Sequence, residues 1–218
     1  MRQVIIIGGH GKVALLAESI LTARGDTVAA IIRHPDQAGD VRAAGARPVV
    51  ADVENLDVDG IADLLAGHDA IVWSAGAGGG DPARTYAVDR DAAIRSIDAA
   101  VQAGVRRYVM VSFFGSEVDH GLDAGHPLYN YAEAKAAADE HLRASGLDWT
   151  ILGPSTLTSD PATGRIDVHA DSAGTVSRED VAHVIAVVLA DDSTIGRTIR
   201  FNGGEVPISD AVGSAPVG

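Results

Sequence analysis

Short aliphatic runs alternate with helix-periodic segments from the first residues of this chain onward, and that alternation leaves few folds open. Residues 4–7 form an apolar run that stops at glycines, as a buried parallel strand does. Val13, Leu16, Ala17, Ile20 and Leu21 then recur at helical spacing until Gly25 stops them. Further runs lie at 28–32, 48–51, 70–73, 105–111, 147–152 and 198–201, separated by segments that read as helices, among them 93–104, 129–144 and 177–190. Such alternation predicts an α/β fold in one domain: a doubly wound, mostly parallel sheet with helices on both faces. The expected domain is 1–204, with small substrate-facing regions around 113–128 and 155–176. The glycine- and proline-containing end, 205–218, reads as a loosely held tail.

Composition narrows the function classes. The net charge of −13 and pI near 4.8 exclude the clustered basic surface that nucleic acid requires, and Arg106-Arg107 is the densest basic pair. Cysteine is absent, so thiolate catalysis, disulfides and Cys-based zinc sites are excluded. No apolar stretch approaches the roughly 18 residues of a membrane span. A strand beginning almost at residue 3 leaves no room for a signal peptide, so a cytoplasmic location is expected. The same sequence is compatible with a monomer or a homodimer.

The first strand runs into Gly8-Gly9-His10-Gly11-Lys12-Val13-Ala14 and then a helix. In that setting glycines bring backbone amides close to a pyrophosphate, and the helix N-terminus adds its positive dipole end. Gly8, Gly9, His10, Gly11, Lys12 and Val13 are therefore expected at a dinucleotide. A Walker loop is excluded, because no glycine stands five residues before Gly11 and Val13 occupies the Ser/Thr position. The second strand ends at Ile32-Arg33-His34-Pro35. An NAD site would place Asp or Glu there for the ribose 2′-hydroxyl. A guanidinium suits a 2′-phosphate instead, so Arg33 and His34 favour NADP, with NAD the less favoured cofactor. Asp52 and Val53 follow the third strand, where the carboxylate accepts from adenine or caps a turn. The small residues of 74–80, with Ala75, Gly76 and Ala77 foremost, let backbone pack against riboses.

Only two lysines occur against fifteen arginines: Lys12 in the glycine loop, and Lys135, which closes Tyr131-x-x-x-Lys135. Four residues apart on a helix, Tyr131 and Lys135 share one face about 6 Å apart. An ammonium there is expected to lower the phenol's pKa and to reach a nicotinamide ribose. Ser112 ends the fifth strand, at the sheet edge where its hydroxyl would polarise a carbonyl. Ser112, Tyr131 and Lys135 are the catalytic candidates, with Ser112 and Lys135 also counted at the cofactor. Asp119-His120 and Asp123-x-x-His126 lack metal-ligand spacing and read as a substrate-side loop, so no metal is expected. The absence of Gly-x-Ser-x-Gly argues against a serine hydrolase.

These motifs, together with 109–112, Ser145-Gly146-Leu147-Asp148-Trp149-Thr150-Ile151-Leu152 and Ser177-Arg178-Glu179-Asp180-Val181-Ala182, resemble the short-chain dehydrogenases/reductases. The likeness is to the atypical NAD(P)H-binding branch that holds NmrA-like proteins and biliverdin reductase B-like flavin reductases. It covers the chain from Met1 to about Gly204. It implies a Rossmann fold, NADP across the strand C-termini, a cofactor contact at Pro154, and catalysis by Ser112, Tyr131 and Lys135. Two departures stand out: Gly153-Pro154-Ser155 replaces the branch's Arg-Pro-Gly, and Tyr131 is kept where many members of the branch lose the tyrosine, which favours an enzyme; little chain follows Leu157 to build a lid. The expected activity is NADP-dependent hydride transfer to a small carbonyl, quinone or flavin-like acceptor. The alternatives are a non-catalytic dinucleotide sensor and a nucleotide-sugar epimerase or dehydratase.

Overall fold

The computed structural model describes residues 1–78 and 81–215. Gly79 and Gly80 of the glycine cluster, and the last three residues, lie outside them. The elements follow in chain order as β1 (Gln3–Ile7), α1 (Lys12–Ala23), β2 (Thr27–Ile32), α2 (Ala38–Ala43), β3 (Arg47–Val50), α3 (Val58–Leu65) and β4 (Ala70–Trp73). A helix that begins as α4 (Pro82–Thr85) widens into a π-helical stretch over Tyr86–Ala92 and continues as α5 (Ala93–Ala103). Then come β5 (Arg107–Val111), α6 (Tyr129–Ala144), β6 (Asp148–Pro154), β7 (Thr156–Thr158), β8 (Arg165–Asp167) and β9 (Thr175–Ser177). The chain closes with α7 (Arg178–Ala190), β10 (Arg197–Gly203), β11 (Val206–Pro207) and α8 (Ile208–Ser214).

Nine strands form one sheet in the order β11-β8-β10-β6-β5-β4-β1-β2-β3, and β7 pairs separately with β9. All pairings from β10 to β3 are parallel, whereas β8 runs antiparallel to β10 and β11. The chain winds outward from β1 through β2 to β3, then returns to place β4 on the other side of β1. Strand order therefore reverses between β1 and β4, and an open α/β sheet offers its ligand crevice at such a point.

Alternate strand residues feed two cores. Val4, Ile6, Val28, Ala30 and Val72 pack beneath α1, α2 and α7, while Ile5, Ile7, Ile31, Ile71 and Trp73 pack beneath α3, α5 and α6. Helices thus cover both faces, as the alternation predicts. Among the described residues, no helix is long and apolar enough to cross a membrane.

Two expectations are corrected. The end after residue 204 is not loose over its described part: β11 joins the sheet, and Ile208, Ala211 and Val212 of α8 are buried in the core shared with α7. Those three positions carry the i, i+3, i+4 spacing of an apolar helix face, which Gly213 and Pro216 obscure in so short a segment. The stretch 155–176 is likewise more than a substrate loop, because β8 in its middle extends the main sheet through β10.

Candidate dinucleotide and active site

Two cavities open at the C-terminal edge of the sheet, of about 610 and 250 Å³. Gly11, Ser74, Ala75 and Gly76 line both, so the loops after β1 and β4 form a shared wall between them. The close approach of these loops explains Gly8. Its φ is +87°, and a Cβ there would lie 2.5 Å from the Cα of Ala75. Gly11 caps α1 in extended conformation, and its amide donates to the Gly8 carbonyl at 3.0 Å. Gly9 serves packing instead: a Cβ would sit 2.5 Å from that of Ala30 on β2.

The smaller cavity is lined by Gly8, His10, Arg33, Asp52 and Val53. Sequence reasoning missed two further charged residues here, Glu54 and Arg84. Arg33 and Arg84 both face Oε2 of Glu54, at 3.5 and 3.7 Å, and Arg33 Nε donates to His34 Nε2 at 3.0 Å. Arg84 also donates to the Ala77 carbonyl at 2.6 Å, tying α4 to the loop after β4. Asp52 lines this cavity and also holds the turn after β3. Its carboxylate accepts from the Glu54 amide at 3.1 Å and from Asn55 Nδ2 at 2.8 Å.

The larger cavity gathers Lys12, Val13, Ala77, Ser112, Tyr131 and Lys135. The three catalytic candidates thus face one space with the glycine loop. Of the expected cofactor residues, Gly9, His34 and Pro154 line neither cavity. Pro154 is buried at the end of β6, where its carbonyl accepts from the Phe114 amide at 2.9 Å. Gly153, where the resembled branch carries arginine, is tightly packed, so a side chain there would require its neighbours to shift. A Cβ would meet Arg200 Cγ at 3.0 Å and the Phe113 carbonyl at 3.2 Å. Arg200 comes from the neighbouring β10, and its guanidinium pairs with Glu117 at 2.5 Å.

Lys135 is only 1% exposed, and its ammonium donates to the Val111 carbonyl at 2.9 Å. One helical turn further on, Asp139 is wholly buried and sequence reasoning missed it. Its Oδ2 accepts from Ser112 Oγ at 2.6 Å and from Ser116 Oγ, while Oδ1 has no partner. The Ser112 hydrogen is therefore directed at Asp139, and its oxygen lone pairs remain for a donor in the cavity. Burial pushes the Asp139 carboxyl above its usual range, against the opposing pull of Lys135 and the two hydroxyls.

A second buried acid, Asp89, reaches the cavity from the π-helical stretch and is 2% exposed. Its carboxylate accepts from the Ala77 amide at 3.1 Å. Burial raises its pKa too, with Lys135, the Ala77 amide and Arg84 pulling the other way. The sequence did carry signals for both acids. Asp89 falls within a stripe of buried positions that runs through Thr85, Val88 and Ala92, and Asp139 repeats the four-residue step from Tyr131 and Lys135.

Tyr131 packs against Phe113, ring centroids 5.1 Å apart. The phenol's pKa moves opposite to expectation: burial raises it, and the negative charge of Asp89 and Asp139 raises it further. Shared helix spacing does not by itself deliver the lysine's field to the phenol when two carboxyls surround that lysine. In the loop 115–127, His120 bonds Glu133 at 2.8 Å and accepts from the Leu122 amide, while His126 accepts from the Leu128 amide. Among the described residues, no group of three metal-ligating acids and histidines converges.

Known proteins place this geometry. A Bacillus subtilis protein described as an uncharacterized sugar epimerase, YhfK, is 34% identical over 96% of this chain and 98% of its own. A Saccharomyces cerevisiae protein, YMR090W, is 33% identical over 97% of this chain and 98% of its own. A solved structure from Bacillus halodurans, provisionally described as an NAD-dependent epimerase/dehydratase, superposes with a TM-score of 0.89 at 32% identity, covering 97% of this chain and 99% of that one. The oxidoreductase ylbE of Lactococcus lactis gives 0.86 at 28% identity, over 97% and 95% of the two chains. The model of the NAD(P)H-binding family matches residues 8–192, and the chain belongs to that family.

Proposed function

We propose that this chain is an NADP-linked oxidoreductase that reduces a small carbonyl, quinone or flavin-like acceptor. The observation that carries the reading is the shared wall: one glycine loop borders both cavities, as a ligand with two nucleotide halves and a central pyrophosphate requires. Gly8, whose Cβ would collide with Ala75, marks the close backbone approach that such a ligand exploits. The smaller cavity, with Arg33 at its rim, takes the adenosine half, and Arg33 with Arg84 supplies two guanidinium groups for a 2′-phosphate. The larger cavity takes the nicotinamide half and the acceptor.

When bound, the dinucleotide supplies the hydride; the chain's own residues hold and deliver the proton. Tyr131, kept protonated by burial, is a donor rather than a base at neutral pH, which suits reduction. Lys135, held by the Val111 carbonyl and Met110 Sδ, has one N–H left for the ribose, and its charge opposes the rise that burial imposes on Asp89 and Asp139. Ser112, with its hydrogen on Asp139, has only lone pairs left for the cavity, so it can accept from a hydroxyl or amide of the ligand but does not polarise the carbonyl as the sequence suggested.

A second reading is NAD-linked epimerisation. It is favoured by the description of the Bacillus halodurans neighbour and by Glu54, a carboxylate beside Arg33 that could accept from a ribose hydroxyl. Calorimetry with NADP and NAD, followed by NADPH oxidation against a panel of aldehydes and quinones, separates the readings. Tighter NADP binding, with turnover of an aldehyde that falls about 100-fold or more in Tyr131→Phe, is expected. Preference for NAD together with turnover of a nucleotide sugar would replace the reductase with the epimerase.

A further inference from the structure

The larger cavity holds three cationic side chains, Lys12, Lys135 and Arg178. The dinucleotide reading accounts for the first two, and Arg178 is left over. It opens α7, immediately after the Ser177 cap. A cation in the first turn faces the positive end of the helix dipole, so Arg178 is not there for the helix. Nor does it have a counter-charge, although Glu179 and Asp180 follow it directly. Glu179 accepts from the Ala162 amide, and the buried Asp180 carboxylate accepts from the Thr163 and Gly164 amides. Both acids are spent on fastening the loop before β8. Among the described residues Arg178 makes no ion pair, and its one hydrogen bond is to Ser159 Oγ at 3.1 Å.

Apolar side chains share its stretch of the cavity wall: Pro127, Leu128 and Leu157. Leu128 is 51% exposed, so its side chain is open to a ligand at the cavity mouth. An unpaired guanidinium in a chain of net charge −13, set among aliphatic groups, matches one ligand chemistry. That ligand is an apolar body bearing a planar oxyanion, which the fork of an arginine binds with two parallel bonds.

We propose that Arg178 anchors a carboxylate on the acceptor, so that the substrate is an amphipathic acid held by Arg178 at one end and presented to Tyr131 at the other. This rests on the acceptor sharing the larger cavity with the nicotinamide. The pyrophosphate of the dinucleotide is the competing source of the oxyanion, and the test separates the two.

2-Naphthoate and its neutral isostere 2-naphthamide are titrated by calorimetry into wild type, Arg178→Gln and Arg178→Lys, each with and without saturating NADP. The NADP affinity of each protein is measured alongside. In wild type with NADP bound, naphthoate is expected to bind at least tenfold tighter than naphthamide. Arg178→Gln removes that preference and leaves naphthamide and NADP binding within twofold; Arg178→Lys, which keeps the charge, retains part of the preference. Equal binding of the two probes in wild type, or a preference that survives in Arg178→Gln, overturns the proposal. So does a tenfold loss of NADP affinity in Arg178→Gln, which would assign the arginine to the pyrophosphate. If NADP binds to no form, the dinucleotide reading fails by itself, and the titrations without NADP still decide whether Arg178 selects the carboxylate. A matching thermal midpoint for Arg178→Lys and wild type guards against misfolding.

Discussion

The two cavities share a glycine loop but hold their charges under opposite conditions. At the smaller one, Arg33, Glu54 and Arg84 are part-exposed and meet at 3.5 and 3.7 Å, contacts of a kind worth about 0–1 kcal/mol and screened by salt. At the larger one, Lys135 and Asp89, with Asp139 behind Ser112, are almost wholly buried, one cation against two carboxyls. Burial raises both carboxyls and Tyr131 as well, and the carboxyls' charge raises Tyr131 further. The first arrangement can exchange partners cheaply when a ligand arrives. The second fixes a proton inventory in the fold. On the proposed function, recognition and chemistry are separated across a single loop.

Removing the shared cation breaks the comparison most strongly. Lys135→Met leaves two buried carboxyls without it, and losing one partner of a buried ionic set costs about 3–5 kcal/mol. The carboxyls can relieve that cost by taking up protons, since burial already raises both. The destabilisation should therefore be largest at alkaline pH and shrink toward pH 5, read by denaturant unfolding at the two extremes. A penalty independent of pH would mean that Asp89 and Asp139 do not sense Lys135.

A further buried acid lies outside both cavities, under the glycine loop. Glu18 on α1 is fully buried, neither oxygen has a partner among the described residues, and a Cβ on Gly9 would come within 3.1 Å of it. Burial pushes its pKa from 4.5 up to about 8. The unfolded chain gives up this proton near 4.5 and the folded one only near 8. Its contribution is complete below the first value and is lost as pH rises through the second, at up to about 1.4 kcal/mol per pH unit. Glu18→Gln removes that slope, which urea unfolding between pH 5 and 9 would reveal. Parallel wild-type and variant profiles would sink the assignment.

The regions differ in how far the sequence disclosed them. The glycine loop, the Tyr131–Lys135 spacing and the Ser177 cap are local patterns, each complete within a few residues, and they mark the right edge of the sheet. The hold of Asp139 on Ser112 and Ser116 spans 27 and 23 residues, and helical periodicity reports which face a residue takes but not what it meets there. The direction of the Tyr131 shift depends on how deeply α6 buries the ring, a property of packing that no spacing encodes. β7, β8 and β9 are three residues each with mixed polarity, too short to show a period of two. The glycine at 153 was legible as a departure, but its cause, Arg200 lying against it from the next strand, was not.

The smallest effects belong to the exposed trio, and salt distinguishes them from the buried set. On the proposed NADP reading, Arg33→Ala removes a charge-assisted contact worth about 1.5–3 kcal/mol to the 2′-phosphate, so NADP affinity should fall roughly 10- to 100-fold at low ionic strength. Glu54→Gln acts the other way. It frees both guanidinium groups and removes a repelling carboxylate, so NADP binds tighter by a few-fold at most. Both shifts should diminish toward about 1 M salt, where the Debye length is about 3 Å. The penalty of Lys135→Met, set in the interior, should hardly change over the same range. Calorimetric titration of NADP across the salt series reads the first two, and unfolding across it reads the third. Equal salt sensitivity in all three variants would erase the distinction between the cavities, because it would require Lys135 to be as open to counter-ions as Arg33.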